Sequence, residues 1–234
     1  MKIAIMQPYF FPYIGYFQLI NAVDKFVIYD NIEFTKKGWI NRNRILVNGK
    51  DEYITLPLKK DSDYLNIAQR CLTDTYKIER VKLLRRINGS YRKAPQFNEV
   101  YSLVEVIINT EEENLFEFTH QSLENICQYL NIKTEFIISS KISIDHQLKS
   151  QEKVIAICKA LNANQYINPI GGVELYSKEI FQQNNIELNF IKPDTIEYMQ
   201  FTNQFIPWLS IIDVMMFNSK EKIHRYLNSF YTLI

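Results

Sequence analysis

The residues best suited to chemistry in this sequence lie in two segments near its beginning. Residues 7–16 hold the amide of Gln7 and several aromatic rings between two prolines. Residues 30–43 begin with a carboxylate and continue with cations, amides and an indole: Asp30, Lys36, Trp39, Asn41, Arg42 and Asn43. Guanidinium groups bind phosphates through two parallel hydrogen bonds, and aromatic rings stack on other rings. Together the segments predict a site for a phosphorylated, ring-bearing ligand, although a solvated basic loop is the plain alternative for residues 36–43.

Apolar runs on both sides of the first segment predict the elements that would position it. Residues 2–6 and 26–29 have the length and composition of strands, and residues 13–23 have apolar side chains at helical spacing. A strand, a loop, a helix and a second strand in this order predict a parallel βαβ unit with a right-handed crossover. Ligands bind outside the carboxyl ends of such strands. We therefore expect residues 7–16 and the residues after Asp30 to share one crevice.

Within residues 7–16, the candidates for ligand contact are Tyr9, Tyr13, Gly15 and Tyr16. Gly15 lies just inside the predicted helix, where a missing side chain lets another group approach the backbone closely. The alternative is that the rings belong to the core and that Gly15 only lets the helix pack on the sheet.

Three motifs in this chain resemble the WbqC-like family. They are MQPYFFPYIGYF at residues 6–17, WINRN at 39–43 and LSIID at 209–213, with Asp30 between the first two and a further similar segment at 198–200. The resemblance covers most of the chain. It implies a role associated with gene clusters for O-antigen and other surface polysaccharides, with transfer of glycine or another acyl group to an amino sugar. It also implies that Gln200 and Ser210 belong to the substrate site.

A second resemblance concerns the layout of the first strand, loop and helix. It is similar to the nucleotide-binding end of class I synthetases and nucleotidylyl transferases, whose His-x-Gly-His loop holds phosphates. This chain has Tyr13-Ile14-Gly15-Tyr16 at the matching place. Both histidines are therefore replaced, so the resemblance supports an analogous fold and leaves nucleotide activation as an alternative function.

Composition narrows the class of protein further. The 234 residues carry a net charge of +1, so no overall field recruits nucleic acid. The three cysteines have no short spacing, and the histidines stand apart from them, which argues against a metal site and for reduced thiols in the cytoplasm. No apolar run reaches the length of a membrane span, and no signal peptide is expected.

The middle of the chain is expected to be a hairpin followed by helices. Asn48-Gly49 predicts the turn of a β-hairpin. The basic segment 74–93 has helical spacing, with a predicted stop at Asn88-Gly89, and Thr110 to Glu113 resembles a capping box that begins a later helix. These patterns predict a helical insertion over about residues 75–132.

The last part of the chain returns to alternating strands, expected at 135–139, 165–168 and 186–191, and helices, expected at 150–161 and 173–183. We expect a single α/β domain over residues 1–234, with a mostly parallel sheet of nucleotide-binding (Rossmann-like) type. Asn168, Gly171 and Gly172 follow a predicted strand, where backbone amides can hold an anion, although a tight turn explains them nearly as well.

Asp213 lies in an apolar run, where an unpaired charge is costly. It is expected to find an Arg, a Lys or a helix N-terminus, and it is either a catalytic base or an acid that fixes the last helices. Ser210 is either a ligand contact or the N-cap of the helix that follows.

The leading hypothesis is an enzyme that transfers an acyl or aminoacyl group to the amine of a nucleotide-linked amino sugar. The phosphates would be held by Lys36, Arg42 and the amides near Gly171 and Gly172, and either Asp30 or Asp213 would be the base. Stacking is assigned to Tyr13, Tyr16 and Trp39, and sugar orientation to Gln7, Asn41 and Asn43. The cofactor stays open between ATP with magnesium and an acyl thioester. The alternatives are a nucleotidylyl transferase and a non-catalytic module that binds a sugar nucleotide or a partner.

Overall fold

The structure, a computed structural model, describes residues 1–201 and 204–234. Its strands within this range are β1 (Lys2–Met6), β2 (Lys25–Ile28), β3 (Arg42–Val47), β4 (Lys50–Thr55), β5 (Glu135–Ile138), β6 (Gln165–Pro169), β7 (Glu187–Pro193) and β8 (Tyr231–Leu233). Its α-helices are α1 (Ile14–Asn21), α2 (Tyr76–Tyr91), α3 (Phe97–Ile108), α4 (Leu115–Tyr129), α5 (Ser150–Ala160), α6 (Lys178–Gln183), α7 (Ile211–Phe217) and α8 (Lys220–Ser229).

In the described residues, six of these strands form one sheet in the order β5-β2-β1-β6-β7-β8. All neighbours are parallel except β7 and β8. The expected α/β class with a mostly parallel sheet is therefore confirmed. The chain moves outward from β1 to β5 and then returns to the other side of β1 at β6. Strand order reverses between β1 and β6, which is where ligands bind in open parallel sheets.

Helices cover the sheet on two faces and form two apolar clusters. Phe17 of α1 and Leu227 of α8 belong to the larger cluster, which also includes the helices between β2 and β5. Ile157 of α5 and Phe181 of α6 belong to the cluster on the other face. Because β1 and β2 are covered on both faces, their side chains form unbroken apolar runs rather than alternating ones.

The hairpin of β3 and β4 turns at Asn48 and Gly49, as expected. Both residues have positive φ, 49° and 76°, a conformation that suits asparagine and glycine in a two-residue hairpin loop. This hairpin stands apart from the main sheet. The Ser210 amide donates to the Arg44 carbonyl, which joins the hairpin to the segment before α7, and the Phe10 amide donates to the Trp39 carbonyl, which joins the loop after β1 to the segment before β3.

Two helix boundaries predicted from sequence are wrong. α2 continues through Asn88 and Gly89 to Tyr91, because the Tyr91 ring is fully buried and its hydroxyl accepts a hydrogen bond from the Leu46 amide. Packing of that residue outweighs the local preference of glycine for a helix end. α4 is capped by Asn114 rather than Thr110, since the Asn114 side chain accepts hydrogen bonds from the amides of the first turn.

The helix predicted at 173–183 is also divided differently. A 3-10 helix, Ile170–Leu175, is followed by the short α6, whose N-cap Ser177 accepts a hydrogen bond from the Ile180 amide. No helix in the described part of the chain is long and apolar enough to cross a membrane.

Candidate functional site

A cleft of about 470 Å³ opens between the loop after β1, the start of the hairpin and the segment before α7. We call it the aromatic cleft, and it is lined by Tyr9, Pro12, Tyr13, Trp39, Asn43, Arg44 and Trp208. Four of these residues are aromatic and one is a cation. The cleft brings together Tyr9, Tyr13, Trp39 and Asn43, four of the residues predicted to contact a ligand, and adds Trp208 from a distant part of the chain.

The loop after β1 is fixed by hydrogen bonds to both other walls. Its carbonyl oxygens at Phe10, Phe11 and Pro12 accept from the Asn43 side chain, the Ser210 hydroxyl and the Ile211 amide, at 3.1, 2.8 and 2.9 Å. The rings of Phe10 and Phe11 have no exposed surface, so they anchor the loop in the core. The aromatic cleft is therefore held in one geometry before any ligand arrives.

Arg44 supplies the positive charge of the aromatic cleft. Its guanidinium lies 5.7 Å from the Trp39 ring centroid and donates hydrogen bonds to Asp51 Oδ2 at 2.8 Å and to the Trp208 carbonyl at 3.3 Å. Its Nε is buried and donates no hydrogen bond to a residue that the structure describes. A buried donor without a partner is costly, so a ligand that accepts a hydrogen bond here would relieve that cost.

Sequence reasoning chose Arg42 instead of Arg44. Arg42 and Arg44 lie two positions apart on β3 and therefore point to the same face of the hairpin. Nothing in the local sequence distinguishes them. In the structure the Arg42 guanidinium donates to the Gly38 and Lys37 carbonyls and lies 4.6 Å from the Tyr53 ring centroid. Arg42 thus stabilises the turn before β3 and does not line the aromatic cleft.

The tyrosines of the loop divide into two kinds. Burial raises the pKa of Tyr9 and of Tyr13, so both hydroxyls are neutral hydrogen-bond donors at physiological pH. Tyr16 is buried, and its hydroxyl donates to the Gln7 carbonyl at 2.7 Å. Its ring packs against Tyr9 at 5.4 Å and supports the cleft from behind rather than offering a stacking surface.

Gly15 has its close neighbour within its own loop. A Cβ on Gly15 would lie 2.3 Å from Cε2 of Tyr13, so the glycine makes room for that ring.

On the opposite wall, Trp208 has φ of 60°, a left-handed conformation that is unusual for a bulky residue. Such strain concentrates at ligand sites.

Asp213 is fully buried and surrounded by hydrogen-bond donors. Oδ1 accepts from the Tyr198 hydroxyl at 2.6 Å and the Gln200 amide at 2.8 Å, and Oδ2 accepts from the Tyr91 hydroxyl at 2.8 Å. Burial raises its pKa, while these three hydrogen bonds act in the opposite direction. The residue lies in the first turn of α7, and no arginine or lysine of the described chain pairs with it.

Gln200 and Ser210 hold the chain around Asp213. The Gln200 side chain accepts from the Ile206 amide and donates to the Ile206 carbonyl. Ser210 is the N-cap of α7, because its hydroxyl accepts from the Ile212 amide at 3.2 Å. Both side chains are buried.

Asp30 follows β2 and is 6% exposed. Its Oδ1 accepts from the Ser140 amide at 2.8 Å, which joins the ends of β2 and β5. β1 and β2 are parallel neighbours, so Asp30 and the loop after β1 lie at the same edge of the sheet. Asp30 does not line the aromatic cleft. Sequence reasoning missed Lys153, a buried lysine of α5 whose charge interacts with Asp30.

The remaining predicted residues have other contacts. Lys36 pairs with Asp63 on the surface, and the Asn41 side chain donates to the Leu56 carbonyl. The Asn168 side chain accepts a hydrogen bond from the Tyr166 hydroxyl. A Cβ on Gly172 would lie 1.9 Å from Nδ2 of Asn168. The close neighbour of Gly172 is thus a protein side chain. The structure does not bring Lys36, Gly171 or Gly172 into the aromatic cleft.

In the residues that the structure describes, no group of three or more His, Cys, Asp or Glu side chains could hold a metal ion. Cys71, Cys127 and Cys158 are free thiols. Burial raises the pKa of the Cys158 thiol to about 12, so this thiol is unreactive at physiological pH.

A model of the WbqC-like protein family matches residues 7–225, which include every wall of the aromatic cleft. The chain belongs to the WbqC-like protein family. It is also similar to the uncharacterized protein Rv1507c of Mycobacterium tuberculosis (strain ATCC 25618 / H37Rv), with 28% identity over 230 residues and coverage of 97% of each chain. No solved structure matches. The family resemblance read from the three sequence motifs is thereby confirmed.

Proposed function

We propose that this WbqC-like protein is a cytoplasmic enzyme of surface-polysaccharide synthesis that acts on a nucleotide-linked amino sugar. It transfers an acyl or aminoacyl group to the sugar amine, and the aromatic cleft binds the nucleotide-linked sugar. The observation that supports this proposal is the combination of four aromatic rings and the Arg44 guanidinium around one preformed cleft.

Each part of the aromatic cleft matches a part of that ligand. Trp39 and Trp208 are 37% and 54% exposed, so part of each ring is accessible to a base or a sugar. Tyr53 stacks on Trp39 with ring centroids 6.3 Å apart. Arg44 offers charge-assisted hydrogen bonds to a phosphate oxygen. The neutral hydroxyls of Tyr9 and Tyr13 donate to phosphate or sugar oxygens.

The reaction needs a base that removes a proton from the sugar ammonium. The free amine then attacks the acyl carbonyl carbon, a nitrogen–carbon bond forms, and the bond to the leaving group breaks. The second amine proton passes to the leaving group. With a thioester donor the leaving group is a thiolate, whereas an amino acid donor needs prior activation by ATP and magnesium.

We assign the base role to Asp30 rather than Asp213. Asp213 has no exposed surface, and both its oxygens already accept hydrogen bonds. Asp30 Oδ2 accepts no hydrogen bond from a described residue, and Asp30 lies at the sheet edge from which the cleft loop leaves. Gln7 directly follows β1 at the same edge of the sheet. Its side chain would orient the sugar between the aromatic cleft and Asp30.

The test combines purified protein with UDP- or dTDP-linked amino sugars and acyl thioesters, or with amino acids, ATP and magnesium. Mass spectrometry detects the acylated sugar nucleotide. We expect product with the native protein and none with Asp30→Asn. Trp39→Ala should raise KM, whereas Tyr64→Ala serves as a control because Tyr64 is 81% exposed and lies outside the cleft.

A second candidate, a non-catalytic module that binds a sugar nucleotide, is favoured by one observation. The lining of the aromatic cleft contains no carboxylate, so the cleft alone offers binding without an evident base. Saturable binding of a nucleotide-linked amino sugar without product in every donor mixture would favour this function over the transferase.

A further inference from the structure

Lys153 is the only buried lysine among the described residues, with 7% of its surface exposed. No described residue accepts a hydrogen bond from its ammonium group, whose nearest ring is Tyr29, at 5.4 Å from the centroid. Burial lowers the pKa of Lys153, and the charge of Asp30 opposes this effect. The ammonium nitrogen is not among the buried atoms that lack a partner, so it reaches the surface, where a ligand can accept a hydrogen bond from it.

Other polar groups without partners lie in the same region. Ser139, directly after β5, is fully buried, and its hydroxyl has no hydrogen-bond partner among the described residues. It adjoins Ser140, whose amide donates to Asp30 Oδ1. The buried Oδ1 of Asn31 also accepts no hydrogen bond from a described residue. Unsatisfied buried groups are rare in folded proteins, so this concentration at one place indicates a site.

The start of α5 adds backbone donors. β5 ends at the carboxyl edge of the sheet and β6 begins at the opposite edge, so the N-terminus of α5 lies at the carboxyl edge. No side chain caps this helix. Its first amides therefore lack intrahelical acceptors, and their dipoles favour an anion. Helical side chains lean toward the N-terminus, which directs Lys153 to this end.

Asp30 determines which anion fits. Its carboxylate and the Lys153 ammonium are more than 4.0 Å apart, so they form no direct ion pair. An anion beside Lys153 must not repel this carboxylate, which a ligand achieves by donating a hydrogen bond to it. A hydrogen phosphate group, or a phosphomonoester that keeps one proton, meets both requirements. Its unprotonated oxygens accept hydrogen bonds from Lys153, and its hydroxyl donates a hydrogen bond to Asp30.

We propose that Lys153, Ser139, Asp30 and the N-terminus of α5 form a binding site for a protonated phosphate group. The site shares no lining residue with the aromatic cleft. Asp30 is the one residue that it has in common with the proposed function, and phosphate binding is measured without any sugar nucleotide. Its ligand is either free phosphate or a small phosphomonoester.

The test follows the N-methyl signals of lysines labelled by reductive ¹³C-methylation, with Lys153→Arg identifying the Lys153 signal. We expect inorganic phosphate to shift this signal in a saturable manner. Sulfate has no proton to donate to Asp30 and should bind at least tenfold more weakly at equal ionic strength. Tighter binding of glycerol 3-phosphate than of phosphate would identify the phosphomonoester as the ligand.

Isothermal titration of variants provides the second measurement. Lys153→Met should weaken phosphate binding at least tenfold, while Lys159→Met, an exposed lysine of the same helix, should leave it unchanged. An unmoved Lys153 signal, or equal affinity for sulfate and phosphate, would overturn the proposal. Failure of sugar nucleotides to bind would overturn only the function proposed for the aromatic cleft.

Discussion

Tyr13 and Trp208 pack edge to face, with ring centroids 5.9 Å apart, and their contact separates two cavities. One is the aromatic cleft, and the other, of about 450 Å³, lies toward Pro193, Tyr198 and Leu209. Both residues line both cavities. Substitutions at either ring should therefore change the shape of both cavities.

Replacement of Trp208 should separate binding from folding. Stacking of a base on an aromatic ring contributes about 1–3 kcal/mol, so Trp208→Gly should weaken sugar nucleotide binding by roughly 5- to 150-fold. Glycine also accepts the positive φ without strain. We expect Trp208→Gly to be more stable than Trp208→Ala by about 1 kcal/mol, measured by urea unfolding. An Ala variant as stable as the Gly variant would contradict the strain at this position.

Gly15→Ala should have opposite effects in two backgrounds. In the native protein, the added Cβ collides with the Tyr13 ring, so the substitution should lower stability and weaken ligand binding. In a Tyr13→Ala background the collision is absent. Alanine should then stabilise α1 by about 0.5–1 kcal/mol relative to glycine. Thermal unfolding of the four proteins forms a double-mutant cycle, and equal effects of Gly15→Ala in both backgrounds would refute the contact.

Arg44 and Arg42 form a matched pair on one strand. Arg44→Met removes the cation of the aromatic cleft and should weaken binding of the nucleotide-linked sugar by roughly 10- to 150-fold, since a charged hydrogen bond contributes about 1.5–3 kcal/mol. Arg42→Met should change affinity little, because Arg42 binds backbone carbonyls outside the cleft. Isothermal titration at two salt concentrations measures both, and a larger loss for the Arg42 variant would reverse the assignment.

Asp213 should make stability depend on pH in a direction unusual for a carboxylate. Its folded-state pKa is raised above the ordinary value, so the folded state binds the proton more tightly than the unfolded state. Its contribution to stability is therefore largest below the unfolded-state pKa and is lost as pH rises to the folded-state pKa. Urea unfolding across this window should show the slope, and Asp213→Asn should abolish it.

Asp213→Asn should also lower stability at neutral pH. The Tyr91 hydroxyl donates to Asp213 and accepts from the Leu46 amide, so an amide group at Oδ2 would place two donors together. We expect a loss of about 1–3 kcal/mol. Asp63→Asn is the control. Because the hydrogen bond from Lys36 lowers the pKa of Asp63, this carboxylate contributes a pH dependence of the opposite sign, and the variant should leave the slope from Asp213 in place. An unchanged pH slope in Asp213→Asn would show that another group titrates.

Much of the fold follows from the sequence alone. The apolar runs of β1 and β2, the Asn48-Gly49 turn and the alternation of strands and helices after residue 135 are local patterns. Each produces the element it predicts, except that the helix expected at 173–183 is divided into a 3-10 helix and the short α6. The motifs at 6–17, 39–43 and 209–213 also indicated the family. Residues of the first two motifs line the aromatic cleft, together with Trp208, which directly precedes the third.

The tertiary structure decided which side chains of those motifs are available. Distant segments bury Tyr16, Gln200 and Ser210. Trp208 adopts a left-handed backbone conformation, and its side chain is exposed. Arg44 rather than Arg42 lines the aromatic cleft because the two arginines differ only in what the rest of the chain places beside them. Lys153 could not be chosen from the sequence, since burial and the absence of an acceptor are properties of its surroundings. Local patterns specify elements and recurring motifs, whereas burial, partners and access depend on contacts between residues that are distant in the chain.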